Sequence, residues 1–75
     1  MTQEELILEL NKIGVNSSSY SLGVLKNSDC VSVVKENCDW VVYYTERNHP
    51  EKLGTFESCS EAYYFVLEEF KKWRL

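Results

Sequence analysis

The segment "DWVVYYTER", residues 39–47, limits more than any other what this chain can fold into. Its β-branched and aromatic residues favour a strand. Alternate side chains of a strand point to opposite faces. Val41, Tyr43 and Thr45 then share one face, and Trp40, Val42 and Tyr44 the other, so apolar groups stand on both sides. A sheet with one solvated face should instead alternate apolar and polar residues. The larger set, Trp40, Val42 and Tyr44, is expected to enter the core, with Glu46 following at the sheet margin. Val41, Tyr43, Thr45 and Arg47 are then expected to line an open face. Either Tyr43 roofs its strand neighbours there, or the row meets a partner, since Tyr and Arg are enriched at binding hot spots.

The rest of the chain supplies helices for one side only. Residues 2–14, "TQEELILELNKIG", predict a helix with a Thr2–Glu5 capping box and Gly14 as its stop. Leu6, Ile7, Leu10 and Ile13 form its apolar stripe, and Leu8 lies off that stripe. Residues 15–23, "VNSSSYSLG", read as a connecting loop. Residues 30–35 predict a strand and 36–39, "ENCD", a turn. The strand of residues 40–47 follows. "NHPEK", 48–52, predicts a second turn because Pro50 cannot donate to a ladder. "LGTFE", 53–57, predicts a short third strand. Residues 58–75 predict the closing helix, opened by Ser58 and Glu61. Cys59, Ala62, Tyr63, Val66, Leu67, Phe70 and Trp73 share one face of it, while Tyr64 and Phe65 fall outside. Lys71, Lys72 and Arg74 crowd its last turn, where the helix dipole favours cations. The expected fold is a single α+β domain over 1–75. It has two layers: a three-stranded antiparallel sheet with two helices on one face, in the order α-β-β-β-α.

A chain of 75 residues has little core to spare for a substrate cavity. Its one histidine, His49, and its scattered Cys30, Cys38 and Cys59 form no zinc pattern. Gly14, Gly23 and Gly54 are isolated and make no phosphate cradle. Glu4-Glu5 and Glu68-Glu69 are helix neighbours that point in different directions. The expectation is therefore no enzyme, no metal and no cofactor. Twelve acidic residues against eight basic ones give a net charge of −4. That balance disfavours nucleic acid and anionic membranes and suits a basic protein partner. The first ten residues lack the basic start of a signal peptide, and no apolar run approaches membrane-spanning length. A cytoplasmic chain with free thiols is the expectation.

The α-β-β-β-α order is shared with double-stranded-RNA-binding domains, which carry basic residues at the start of the last helix. Here that start is "ESCSEAYY", acidic and aromatic, so a small RNA-binding module is the alternative reading only. Three segments carry a different likeness: "YSLG" from Tyr20, "WVVYYTER" from Trp40 and "GTFESCSEAYYFVLEEF" from Gly54. Together they resemble small bacterial immunity proteins that accompany polymorphic or contact-dependent toxins. Members have a Tyr-Ser-Leu turn after the first helix and a Trp-led strand ending Tyr-Tyr-Ser-Glu-Arg-Gly. A phenylalanine then precedes an acidic helix start. Thr45 stands here where the family has serine, Asn48 where it has glycine, and the glycine-rich turn is reduced to Gly23. The resemblance implies a cytoplasmic protein that binds and neutralises a cognate toxin. A nuclease toxin, basic around its substrate groove, would attract an acidic inhibitor. The expected partner-binding residues are Tyr43, Arg47, Glu46, Val41, Asp39, Glu57 and Glu61.

Overall fold

The computed structural model describes residues 1–26 and 29–73. Helix α1 covers Gln3–Lys12, a short 3₁₀ turn Ser17–Ser19, and helix α2 Cys59–Trp73. The strands are β1 (Tyr20–Leu22), β2 (Cys30–Glu36), β3 (Asp39–Glu46) and β4 (His49–Phe56). They form one four-stranded sheet in the order β1-β2-β3-β4. The α+β class therefore holds, but the sheet is mixed rather than three-stranded and antiparallel. β1 pairs parallel to β2, and the other two pairings are antiparallel. The added strand also departs from the α-β-β-β-α order on which the RNA-binding comparison rests.

β1 comes from the segment expected to be loop. Asn16 caps the 3₁₀ turn, its side chain accepting from Ser18 N at 3.0 Å, and the chain then extends. A parallel crossover usually takes a dozen or more residues. β1 is only three residues long, about 10 Å. Residues 23–29 are enough to return the chain over that distance.

Both helices pack on one face. Leu6 and Leu10 of α1 meet Ala62, Tyr63, Val66, Leu67 and Phe70 of α2 above Val31, Val33 and Val42 in one core. Ile7, Ile13, Trp40, Tyr44 and Cys59 pack at its margin. α1 starts with the reciprocal Thr2–Glu5 capping box. Ser58 Oγ accepts from Glu61 N at 3.3 Å at the start of α2. Aromatic pairs join α2 to the sheet: Trp40 with Tyr63 at 6.5 Å, Phe56 with Phe65 at 5.2 Å, and Tyr44 with Trp73 at 5.9 Å. Phe65, which its helical stripe did not explain, thus covers Phe56. Trp73, which belongs to that stripe, stays half exposed. Arg74, expected in the last turn, lies outside the described residues. No helix among the described residues is long and apolar enough to cross a membrane.

The hairpin turns differ in part from expectation. Asn37, with φ 57°, turns β2 into β3 within the expected "ENCD". The second turn is not "NHPEK" but Arg47 and Asn48, with φ 52° and 66°. Two consecutive positive φ values are what a type I′ hairpin turn requires. β4 therefore begins at His49 and includes Pro50, opposite Thr45. Proline is tolerated there because β4 is an edge strand. A register shift beside Tyr43 leaves Leu53 as the extra residue of β4, and its side chain packs against the core margin.

The second sheet face is not open. Ser32 and Thr45 are fully buried there, and Cys30 is 2% exposed. Residues 23–26, which follow β1, fold over this face. Ser21 Oγ donates to the Val24 carbonyl at 2.7 Å, and Lys26 N donates to Ser32 Oγ at 3.4 Å. Asp29 accepts from the backbone N–H of Arg47 at 2.9 Å and ties the crossover to the β3–β4 turn. All three cysteines are free.

Two substitutions contrast the layers. Leu10→Ala should cost about 2–5 kcal/mol, a large share of the roughly 4–11 kcal/mol expected for a domain this size. Thr45 Oγ1 is buried without a hydrogen-bond partner among the described residues. Thr45→Val should therefore keep stability or raise it by up to about 1 kcal/mol. Urea melts of both variants check this. A Thr45→Val loss of about 2 kcal/mol or more would show that the hydroxyl is satisfied in solution.

Candidate functional site

Strand β3 places the expected contact residues, and the register divides them. Tyr43 lies on the face away from the helices and is half buried. Its hydroxyl donates to the Glu36 carboxylate. Tyr43 pairs with Ser32, Val41 with Val34, and Asp39 with Glu36. A bridge from Tyr43 to Glu36 must therefore pass over the Val34–Val41 pair. That roof accounts for Val41 being only 3% exposed on a face that no helix covers. Val41 supports the surface from beneath and does not present itself to a partner, which corrects its expected place. Thr45 is fully buried and so does not stand on an open face either. Arg47 is also displaced from it, because it sits in the hairpin turn rather than on the strand.

Asp39 and Glu46 mark opposite ends of β3, about 24 Å apart for strand geometry. At the Glu46 end, Tyr44, Glu46, Arg47, His49, Pro50 and Glu51 line an open groove of about 390 Å³. Both signs of charge meet there. At the other end, Glu36 pairs with Asp39, and Trp40 pairs with Phe56. Glu57 follows Phe56 directly, so Glu36, Asp39 and Glu57 form a row across the ends of three adjacent strands. All three are exposed. Glu61, one helical turn further on, stands beside Ser58, whose hydroxyl donates to it at 3.2 Å. Lys35 lies 5.8 Å over the Trp40 ring, and Lys52 of β4 pairs with Tyr43.

The expected seven residues thus fall into two groups, with Val41 beneath one of them. Asp39, Glu57, Glu61 and the outward end of Tyr43 share the acidic end, while Glu46 and Arg47 share the far turn. Glu36 was missed as a contact residue because the sequence places it in a turn. Only the register brings it to the Tyr43 hydroxyl. Chemically, the acidic end can accept hydrogen bonds from lysine or arginine side chains around a fixed aromatic ring. Among the described residues, no group of three or more His, Cys, Asp or Glu side chains comes together as a metal site.

The Tyr43–Glu36 hydrogen bond is the first cause of a raised Tyr43 pKa; partial burial and the Glu36 charge add to it. The unfolded value is about 10. A phenol with a raised folded pKa stabilises the fold below its unfolded value, and that contribution is lost as pH rises through the folded value. Tyr43→Phe keeps the roof and loses only the hydrogen bond, whereas Tyr43→Ala uncovers Val41. Melting temperature at neutral pH should fall further in Tyr43→Ala than in Tyr43→Phe. The gap between the parent and Tyr43→Phe should hold up to about pH 10 and close as pH rises through the higher folded value. A gap that survives full ionisation of Tyr43 would count against the hydrogen bond, and equal melting of both variants would remove the roof from the account. Compared with protein-family models, with curated proteins and with solved structures, the chain has no match in any of the three.

Proposed function

We propose that this chain is an immunity-type inhibitor: it binds a cognate bacterial toxin and neutralises it by contact, without chemistry of its own. The observation that carries this reading is the exposed row Glu36, Asp39 and Glu57 around the held ring of Tyr43. A partner's lysine and arginine side chains would meet the row, and Tyr43 would supply an aromatic anchor. The Glu36 bond holds that ring in place before binding, which lowers the entropy lost on association. A net charge of −4 adds long-range attraction to a basic toxin such as a nuclease. The likeness of "YSLG", "WVVYYTER" and "GTFESCSEAYYFVLEEF" to immunity proteins points to the same class. Glu46 and Arg47 lie outside this contact.

The test is co-expression with a toxin encoded beside the gene, together with a titration of the purified pair. The parent chain should restore growth. The double reversal Asp39→Lys, Glu57→Lys should keep the melting temperature yet slow association about 10-fold or more at low salt, with the difference shrinking at high salt. A parent that neither rescues growth nor binds better than an unrelated protein of equal charge would overturn the reading. So would micromolar binding to duplex RNA that weakens steeply with salt.

A further inference from the structure

Two large side chains stand outside both helical stripes. Leu8 of α1 is 60% exposed and Tyr64 of α2 is 54% exposed. Exposed apolar residues scattered singly need no explanation, but adjoining ones mark contact surface. The fold brings this pair together. Both line one groove of about 510 Å³ between α1 and α2, and the buried side chain of Leu67 contributes to its wall.

The charged groups that line the groove cancel. The Met1 ammonium and Lys12 stand against Glu5 and Glu9. None of the chain's net charge of −4 therefore comes from this surface, and a segment with charges of one sign gains nothing from it. What the lining does have is an order. Glu5 lies three residues before Leu8 and Lys12 four after it, so one charge of each sign flanks the exposed leucine on the same side of α1. That order is its own complement under a two-fold rotation. A second α1 laid antiparallel to the first, leucine near leucine, sets each Lys12 beside the other copy's Glu5. A parallel copy would set like charges together. Lys12 can turn to such a contact because its present partner is Glu9, 3.2 Å away on a solvated face, and exposed pairs of that kind contribute little.

We propose that the groove between α1 and α2 is the two-fold interface of a homodimer. Leu8 of each copy seats against Leu8 and Tyr64 of the other, and a Lys12–Glu5 contact closes each end. The acidic row lies at the sheet end rather than on the helix layer, and repulsion between charges so far apart is screened beyond about 8 Å at physiological ionic strength. One apolar pair with a polar rim is small against the roughly 800 Å² per partner of a standard interface, so the dimer is weak and forms at high protein concentration. This face is separate from the acidic sheet end, and the inference stands whether or not the toxin reading does.

The measurement is sedimentation equilibrium of the parent chain from about 10 µM to about 1 mM, a range that brackets weak association. The average mass should rise with concentration from that of one chain towards that of two. The double variant Leu8→Ser, Tyr64→Ser changes exposed positions only; it should melt like the parent and dimerise about tenfold more weakly. Lys12→Glu and Glu5→Lys each put like charges at both contacts, and each alone should dimerise more weakly than the parent. Glu5→Lys also loses half of the capping box, so circular dichroism first checks that it is folded. Mixed in equal amounts, these two variants should bind each other about tenfold more tightly than either binds itself, since both contacts then join opposite charges. A parent that stays a monomer up to about 1 mM overturns the inference. So do a parent-like dimer of the serine variant, a mixture no tighter than its components, or a parent dimer that Asp39→Lys at the sheet end abolishes.

Discussion

Val42 and Thr45 are both fully buried, yet their side chains leave β3 on opposite faces. A central strand buried on both sides is the constraint around which the fold is arranged. A domain of 75 residues buries only about 60% of its unfolded surface, so a complete second layer of helices is beyond its reach. The helices cover one face. The other is covered by the smallest means the chain has: residues 23–26 of the crossover and one tyrosine held by a glutamate. This thin cover explains the polar groups buried beneath it. Ser21 and Ser32 lie under the crossover and hydrogen-bond to its backbone, so they fasten what covers them.

That cover also sets where the surface can bind. β3 was expected to present a continuous row from Val41 to Arg47. The register breaks that row into a roofed centre and two ends of different character. The Glu46 end mixes Glu46, Arg47, His49 and Glu51 around a groove. The Asp39 end collects carboxylates from three adjacent strands, and its lysine is turned onto Trp40. The second has three carboxylates with a fixed aromatic beside them, and Lys52 stands opposite that aromatic on β4. A side chain can thus be structural and still face a partner: Tyr43 protects Val41 with one side of its ring and stays half exposed on the other.

The sequence made legible what depends on local period and local caps. The α1 and α2 stripes, the Thr2–Glu5 and Ser58–Glu61 starts, and the inward facing of Trp40, Val42 and Tyr44 are all set by neighbours within a turn or a strand. β1 was illegible because three residues carry no period and its partner lies beyond the crossover. The start of β4 was misread because Pro50 breaks a central strand but not an edge one, and edge position belongs to the sheet as a whole. The acidic row was half legible. Asp39 and Glu57 could be named from charge, but their adjacency through Phe56 and the Glu36–Tyr43 bond both require the register.

Leu8 and Tyr64 show the reverse case, in which the misfit with local pattern is itself the signal. Each breaks an otherwise consistent amphipathic helix, and neither is recovered by the core. Phe65 breaks the same helix but is recovered, since it covers Phe56 at 5.2 Å. Packing can therefore absorb a residue outside the stripe when the sheet offers it a partner. It cannot do so on the outer side of two neighbouring helices, where only solvent or another molecule is in reach. Leu8 and Tyr64 come from separate helices and converge on one groove, so one occupant would cover both.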